Sequence, residues 1–303
     1  MKTAYLGTSE FAATVLARLA DSPHRPALVV TPPDRRRGRG RKLAPPPAAD
    51  ATKELGLGLH QTADVNLPES EDAIRAAQPA AIAVCAFGQL IREPLLSEYE
   101  MLNVHPSLIP RWRGAAPIER SLMAGDERTG VTIMRVTAGL DCGPVALQEE
   151  ISIEPGDDYE STSQRLAELA GDLLVRALDL CEAGSLSYAE QDDERATYAE
   201  KIASDERRLD VDRPAEELER IVRALTPHIG AYLEFADGAR LGVRRAAAVD
   251  DGLPAGELRA REAELLLGTA RGALRLEVVQ PPGGKPMQAA DFLRGHQAPG
   301  RPR

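Results

Sequence analysis

The sequence predicts an α/β fold: an open, parallel-sheet domain followed by a small all-β domain. Three observations carry this reading. Short apolar runs at residues 3–6, 27–31 and 81–87 are interleaved with longer amphipathic stretches, the pattern of strand–helix–strand units. A broad apolar face recurs at helical spacing over residues 161–181, through Leu166, Leu169, Leu173, Leu174, Ala177, Leu178 and Leu180. Beyond residue 206 the pattern shortens into strands punctuated by glycine. A length of 303 residues agrees with two domains.

Taken in order, residues 3–6 form a strand, Gly7–Thr8 turn the chain, and Ser9 caps a helix over 10–20. The turn is neither GxGxxG nor a P-loop, which argues against a dinucleotide or a nucleoside triphosphate. Residues 27–31 form the next strand. Residues 32–43 then carry Arg35, Arg36, Arg37, Arg39, Arg41 and Lys42 against one acid, Asp34. Gly38, Gly40 and the flanking prolines speak against a regular element there. A charge run is ordinarily a solvated loop. In an otherwise acidic domain, six cations on one loop read as a phosphate-contacting segment that orders on binding.

Helices are expected at 48–55 and 70–77, and strands at 59–61, 81–87 and 101–104. Residues 116–123 read as a helix, with Pro117 in the first turn, where its missing N–H costs nothing. Residues 131–136 alternate as a strand should, and 145–153 are a further strand. Residues 189–206 are polar and acidic and read as a linker, dividing the chain into 1–188, 189–206 and 207–303. The last part holds a helix at 214–225 and strands at 230–235, 240–243 and 273–279, with Asp237–Gly238 as a hairpin turn. Such short strands suggest a small barrel or sandwich.

Aromatic residues make up only 4% of the chain, so the core rests on Leu, Val, Ile and Ala. The net charge of -10 speaks against general affinity for nucleic acid, but its distribution says more. Residues 207–303 carry 16 Lys+Arg and 14 Asp+Glu, and the remainder 21 and 33. An RNA partner would therefore meet a focused basic surface. The three cysteines, Cys85, Cys142 and Cys181, are widely spaced, and no CxxC or His-rich cluster offers a metal site. Free cysteines fit a reducing cytoplasm. No apolar run approaches the ~20 residues that span a bilayer, and Met1–Leu6 shows no charged-then-apolar leader, so a soluble cytoplasmic protein is expected.

The chemistry concentrates around Asn103–Val104–His105–Pro106–Ser107, at the end of an apolar run. Open α/β sheets bind ligands beyond the carboxyl ends of their strands. Downstream, Gly139–Leu140–Asp141–Cys142–Gly143 sets a carboxylate between glycines. A lone histidine, or an aspartate beside glycine, is ordinarily structural. An amide, an imidazole and a carboxylate together can polarise a carbonyl and move a proton. From residues alone the reading is an α/β enzyme acting on a carbonyl, with an RNA partner left open.

The motif extends through Ser107–Leu108–Ile109–Pro110–Arg111–Trp112–Arg113–Gly114–Ala115–Ala116–Pro117–Ile118. Ala124–Gly125–Asp126, Thr129–Gly130–Val131–Thr132–Ile133–Met134 and Gly139–Leu140–Asp141 continue it. Gly7–Thr8, Phe11–Ala12, the basic loop up to Leu43, Tyr198–Ala199–Glu200–Lys201–Ile202, Gln280–Pro281 and Lys285–Pro286–Met287 complete it. In these stretches the chain closely resembles the methionyl-tRNA formyltransferase family, over essentially its whole length. The resemblance implies a Rossmann-like formyltransferase domain with a parallel sheet, a linker and a small C-terminal β-barrel similar to an OB fold. It implies 10-formyltetrahydrofolate as co-substrate, initiator methionyl-tRNA as acceptor, no metal and a monomer.

By the same resemblance Asn103, His105 and Asp141 look like the catalytic trio. Ser107, Leu108, Ile109 and Pro110 look like the tetrahydrofolate-binding segment. Arg35, Arg36, Arg37, Arg39, Arg41 and Lys42 look like the loop that meets the tRNA acceptor end, with Arg39 where the family uses an arginine. Pro106, Cys142 and Pro144 depart from the family pattern. Pro106 restricts His105 to extended backbone, which pins the imidazole. The rival readings are a formyltransferase for another amine, such as an amino sugar or glycinamide ribonucleotide, a folate hydrolase, and a non-catalytic RNA-binding protein.

Overall fold

A computed structural model describes residues 1–37, 42–295 and 302. The chain forms two compact units. The first comprises Met1–Gly114, Arg128–Ile151 and Ser163–Tyr198, the second Ala115–Glu127, Ser152–Thr162 and Ala199–Arg303.

The chain opens with β1 (Thr3–Gly7), α1 (Glu10–Ala20), β2 (Pro26–Thr31), β3 (Arg35–Arg37) and β4 (Lys42–Ala44). There follow α2 (Pro47–Glu54), β5 (Leu59–Gln61), α3 (Pro68–Ala77), β6 (Ala81–Cys85), α4 (Leu95–Glu98) and β7 (Glu100–His105). Next come β8 (Arg113–Gly114), α5 (Pro117–Ala124), β9 (Arg128–Arg135), β10 (Val145–Ser152), α6 (Tyr159–Glu182) and β11 (Tyr198–Ala199). The last elements are α7 (Ala215–Leu225), β12 (Ala231–Glu234), β13 (Arg240–Val249), β14 (Leu258–Arg261), β15 (Glu264–Gly268), β16 (Ala273–Gln280), β17 (Met287–Gln288) and α8 (Ala289–Gly295).

The first unit is built on a seven-stranded sheet in the order β10-β9-β7-β6-β1-β2-β5. β7, β6, β1, β2 and β5 are parallel, and β9 runs antiparallel to β7. Every residue of β1 and β6 is buried, because both faces of a parallel sheet are covered. The strand order reverses between β1 and β6, and there Thr8 Oγ1 donates to the Phe87 carbonyl at 2.9 Å, tying the two following loops together. Ser9 caps α1 as expected, its hydroxyl accepting from the Ala12 N–H at 3.3 Å. Cys85 belongs to the core, and burial pushes its thiol up to about 12.

Two local expectations are corrected. The basic segment does hold a regular element: Arg35, Arg36 and Arg37 pair antiparallel with Ala44, Leu43 and Lys42. The glycines that argued against it lie between the paired strands, within residues 38–41, outside the described residues. Residues 131–136 do not alternate. β9 is buried from Thr129 to Met134, since it lies between β7 and β10 and both of its faces are covered.

Gly130 lets β9 and β10 close up. A Cβ at this position would stand 2.2 Å from the Glu149 carbonyl oxygen and 2.5 Å from Leu108 Cδ2. Gly130→Ala is therefore expected to cost about 1–3 kcal/mol of stability, read as a lowered Tm. An unchanged Tm would mean that these strands part without cost.

The second unit holds an antiparallel sheet in the order β12-β13-β16-β15-β14, with β17 added to β16. Leu218, Ile221, Val222 and Leu225 on α7 share a core with Leu233, Val243, Leu265 and Leu274 of the sheet. Asp237–Gly238 turn the β12–β13 hairpin: Gly238 sits at φ +82, and the Asp237 carboxylate accepts the Ala239 N–H at 2.9 Å. The strand expected over 240–243 continues to Val249, because Ala246, Ala247 and Ala248 remain paired with β16.

Candidate active site

Asn103 and His105 are two residues apart on β7, so both side chains leave the same face of the sheet. That face meets Asp141. The Asn103 Nδ2 donates to Asp141 Oδ1 at 3.3 Å, and His105 Nδ1 lies 3.6 Å from Asp141 Oδ2. The three residues that the sequence singled out are thus brought together. His105 is buried, while Asn103 and Asp141 keep partial access to solvent.

Backbone groups complete the arrangement. His105 Nε2 lies 2.8 Å from the Trp112 carbonyl oxygen, and a carbonyl only accepts, so Nε2 carries the hydrogen of the neutral ring. Nδ1, beside Asp141, is then the basic nitrogen. The Gly114 N–H donates to Asp141 Oδ2 at 2.9 Å. Trp112 and Asp141 both adopt left-handed backbone, at φ +65 and +48. For non-glycine residues this conformation is uncommon and gathers at functional sites.

Residues 107–110 form a tight loop braced by polar side chains. Ser107 Oγ donates to the Arg111 carbonyl at 2.7 Å, and Thr132 Oγ1 donates to the Ser107 carbonyl at 2.7 Å. Gln148 Nε2 donates to the Ile109 carbonyl at 2.9 Å. Ser107 and Ile109 are buried, and Leu108 and Pro110 are half-buried. The Ser107 hydroxyl is therefore taken up inside the loop. Leu90 and Leu140, in the loops after β6 and β9, are exposed large apolar side chains.

Arg35 and Arg36 on β3 and Lys42 on β4 are exposed, and Arg37 ends β3. Arg39 and Arg41 lie outside the described residues. Among the described residues no group of three or more His, Cys, Asp and Glu side chains could hold a metal ion, and no helix is long and apolar enough to cross a membrane.

One participant was invisible in the sequence. Gln191, from the stretch read as linker, donates from Nε2 to the Asp141 carbonyl at 3.0 Å and the Gly143 carbonyl at 2.6 Å. Its Oε1 accepts from Arg113 Nε at 2.9 Å and Nη2 at 2.6 Å. The segment is anchored on the first unit, where Ala189 bridges Val145 and Tyr188 donates to Glu100 Oε1 at 2.5 Å. Burial and the Glu100 carboxylate hold the Tyr188 phenol above its usual range.

Residues 1–178 match the formyl transferase family model, and residues 201–297 match that of the formyl transferase C-terminal domain. A methionyl-tRNA formyltransferase of Halorhodospira halophila is 42% identical over 98% of this chain and 97% of its own. One of Methylococcus capsulatus is 40% identical over 99% of each. The chain belongs to the methionyl-tRNA formyltransferase family. Among solved structures it is similar to HypX from Aquifex aeolicus in complex with tetrahydrofolic acid (TM-score 0.68, 18% identity, 97% of this chain, 47% of that one). This chain spans about half the length of HypX. An N-formyltransferase from Helicobacter canadensis gives a TM-score of 0.65 at 11% identity, over 91% of this chain and 98% of that one. At such identities the likeness concerns the fold.

Proposed function

We propose that this formyltransferase moves the formyl group of 10-formyltetrahydrofolate to the α-amino group of methionine on initiator methionyl-tRNA, the step that prepares this tRNA for translation initiation. The relatives at about 40% identity over nearly the whole chain support the reaction. The observation that carries the catalytic assignment is the meeting of Asn103, His105 and Asp141 at 3.3 and 3.6 Å. The enzyme acts in the cytoplasm as a monomer. Residues 1–188 carry the folate chemistry, residues 189–206 the connection, and residues 207–303 the contact with tRNA.

The donor set fits the chemistry of a formyl group. Charge gathers on the formyl oxygen as the amine adds. The Asn103 amide has two N–H bonds and spends one on Asp141, which leaves the other for that oxygen. A donor so placed is worth about 3–4 kcal/mol in the transition state. The amine must lose a proton, and His105 Nδ1 is the nitrogen that can take it, since Nε2 is engaged by Trp112. Asp141 Oδ2 stabilises the imidazolium so formed and keeps the ring in place. The proton then passes to the departing folate nitrogen. Ser107, Leu108, Ile109 and Pro110 line the folate through backbone groups and the half-buried Leu108 and Pro110. Leu90 and Leu140 offer apolar cover for a flat ring.

The direct test is transfer with purified protein, 10-formyltetrahydrofolate and either initiator or elongator methionyl-tRNA. Formylation of the initiator alone is expected. Formate release without formylation would indicate a hydrolase. Transfer only to a small amine would indicate another acceptor, and tRNA binding without chemistry an RNA-binding protein.

A further inference from the structure

We infer that Gln191 is a positioning residue for Asp141, oriented for that task by Arg113. The inference rests on the reading of Asp141 as part of the transfer site and adds a residue to it. Asp141 stands at φ +48, a backbone that an L-residue enters only when its surroundings hold it there. Its carboxylate is held by Asn103 and by the Gly114 N–H. Its main chain is held by Gln191, whose Nε2 gives hydrogen bonds to the carbonyls of Asp141 and Gly143, one on either side of Cys142. Gly143 in turn is pressed onto β9, where an added Cβ would stand 1.9 Å from the Arg135 carbonyl oxygen.

A glutamine amide can turn over, and a flipped amide would aim oxygen at two carbonyls. Arg113 prevents this. Its guanidinium gives two charge-assisted bonds to Gln191 Oε1, so Nε2 must face the loop. Arg113 is itself buried, paired with Asp193 at 2.6 Å, and its N–H donates to the Thr197 carbonyl at 2.9 Å. It also sits between the two backbone groups that serve the trio, the Trp112 carbonyl on His105 and the Gly114 N–H on Asp141. One three-residue stretch therefore addresses the imidazole, the carboxylate and, through Gln191, the turn that carries the carboxylate. Such coupled bonds reinforce one another in a partly buried setting. Gln191 touches no reacting atom. Its effect is to keep Asp141 within reach of His105.

Gln191→Glu separates this role from simple anchoring. The carboxylate keeps the bond to Arg113 and gains charge complementarity, but it has no hydrogen to give the two carbonyls. The expected result is a kcat for initiator methionyl-tRNA lowered about 10–100-fold, as for an Å-scale misplacement, with KM for both substrates unchanged; Tm falls as well, because two carbonyls lose their donor. Gln191→Met, which has no donor and only a weak thioether acceptor, should lose kcat to the same extent and provides the second arm should the glutamate variant fold poorly. In an Asp141→Asn background either substitution should cause no further loss, because the residue acts through that carboxylate. Wild-type kcat in both Gln191 variants, or a full loss repeated on Asp141→Asn, would overturn the inference while leaving the transfer site intact. Wild-type turnover in Asp141→Asn alone would instead remove the site reading on which it rests.

Discussion

His105→Ala is expected to lower kcat for formyl transfer about 10²–10⁴-fold, the range for loss of a general base, while folate and tRNA still bind. The reason lies in the tautomer. With Nε2–H committed to the Trp112 carbonyl at 2.8 Å, Nδ1 is the ring's basic atom, and it faces the Asp141 carboxylate. Alanine removes the base and also the 2.8 Å hydrogen bond to the Trp112 carbonyl, so some stability is lost as well, about 0.5–1.5 kcal/mol. His105→Gln separates the two effects. Its amide can restore the bond to Trp112 but cannot accept a proton from an ammonium. Stability should return with glutamine and turnover should not. A change in kcat without a matching change in KM would place the lost interaction in the transition state. Near-wild-type turnover in the alanine variant would refute the role assigned to His105.

The side chains of this site were legible in the sequence because strand geometry is local. Asn103 and His105 are two residues apart, and a period of two puts both on one face. Asp141 beside glycine could equally have been a turn, and its approach to His105 needed the antiparallel pairing of β9 with β7. The groups that orient the trio were illegible for a different reason. Every residue has a carbonyl and nearly every one an N–H, so nothing marks Trp112 O or Gly114 N until the chain is folded. Gln191 lay in a polar stretch without periodicity, and its partner Arg113 is 78 residues away. Ser107 was read as part of the folate-binding segment, but nothing in the sequence marks its hydroxyl as the group that closes its own loop on Arg111. In the second unit, Glu257 to Leu267 is dominated by strong helix formers, yet residues 258–261 and 264–268 pair as a hairpin. Pairing of β15 with β16 and burial of Leu265, Leu266 and Leu267 override local propensity there.

Replacing Arg35, Arg36, Arg37, Arg39, Arg41 and Lys42 together by serine is expected to weaken tRNA binding on the order of 10³-fold at low salt and to flatten its salt dependence. The chain carries a net charge of -10, so a polyanion approaching it meets repulsion unless cations are concentrated at the contact. The β3–β4 ribbon concentrates them: Arg35 and Arg36 on one strand face Ala44 and Leu43 on the other, with Lys42 adjoining the segment that holds Arg39 and Arg41. Each phosphate contact contributes about 0.9 to the slope of log affinity against log salt on a duplex, and about 0.7 on a single strand. Six lost contacts would remove a slope of about four to five, and fewer contacts proportionately less. Leu43, 68% exposed on the same ribbon, is the apolar surface available to an unpaired base. Leu43→Ser should therefore reduce affinity without changing the slope. These two signatures separate phosphate contact from base contact on one hairpin. Folate binding and Tm should not move in either variant, because the side-chain polar contacts of Asn103, His105 and Asp141 among the described residues are made with one another and with Trp112 and Gly114. A parallel loss of folate binding would trace the defect to folding, and an unchanged salt slope in the six-fold variant would leave these cations as a solvated surface.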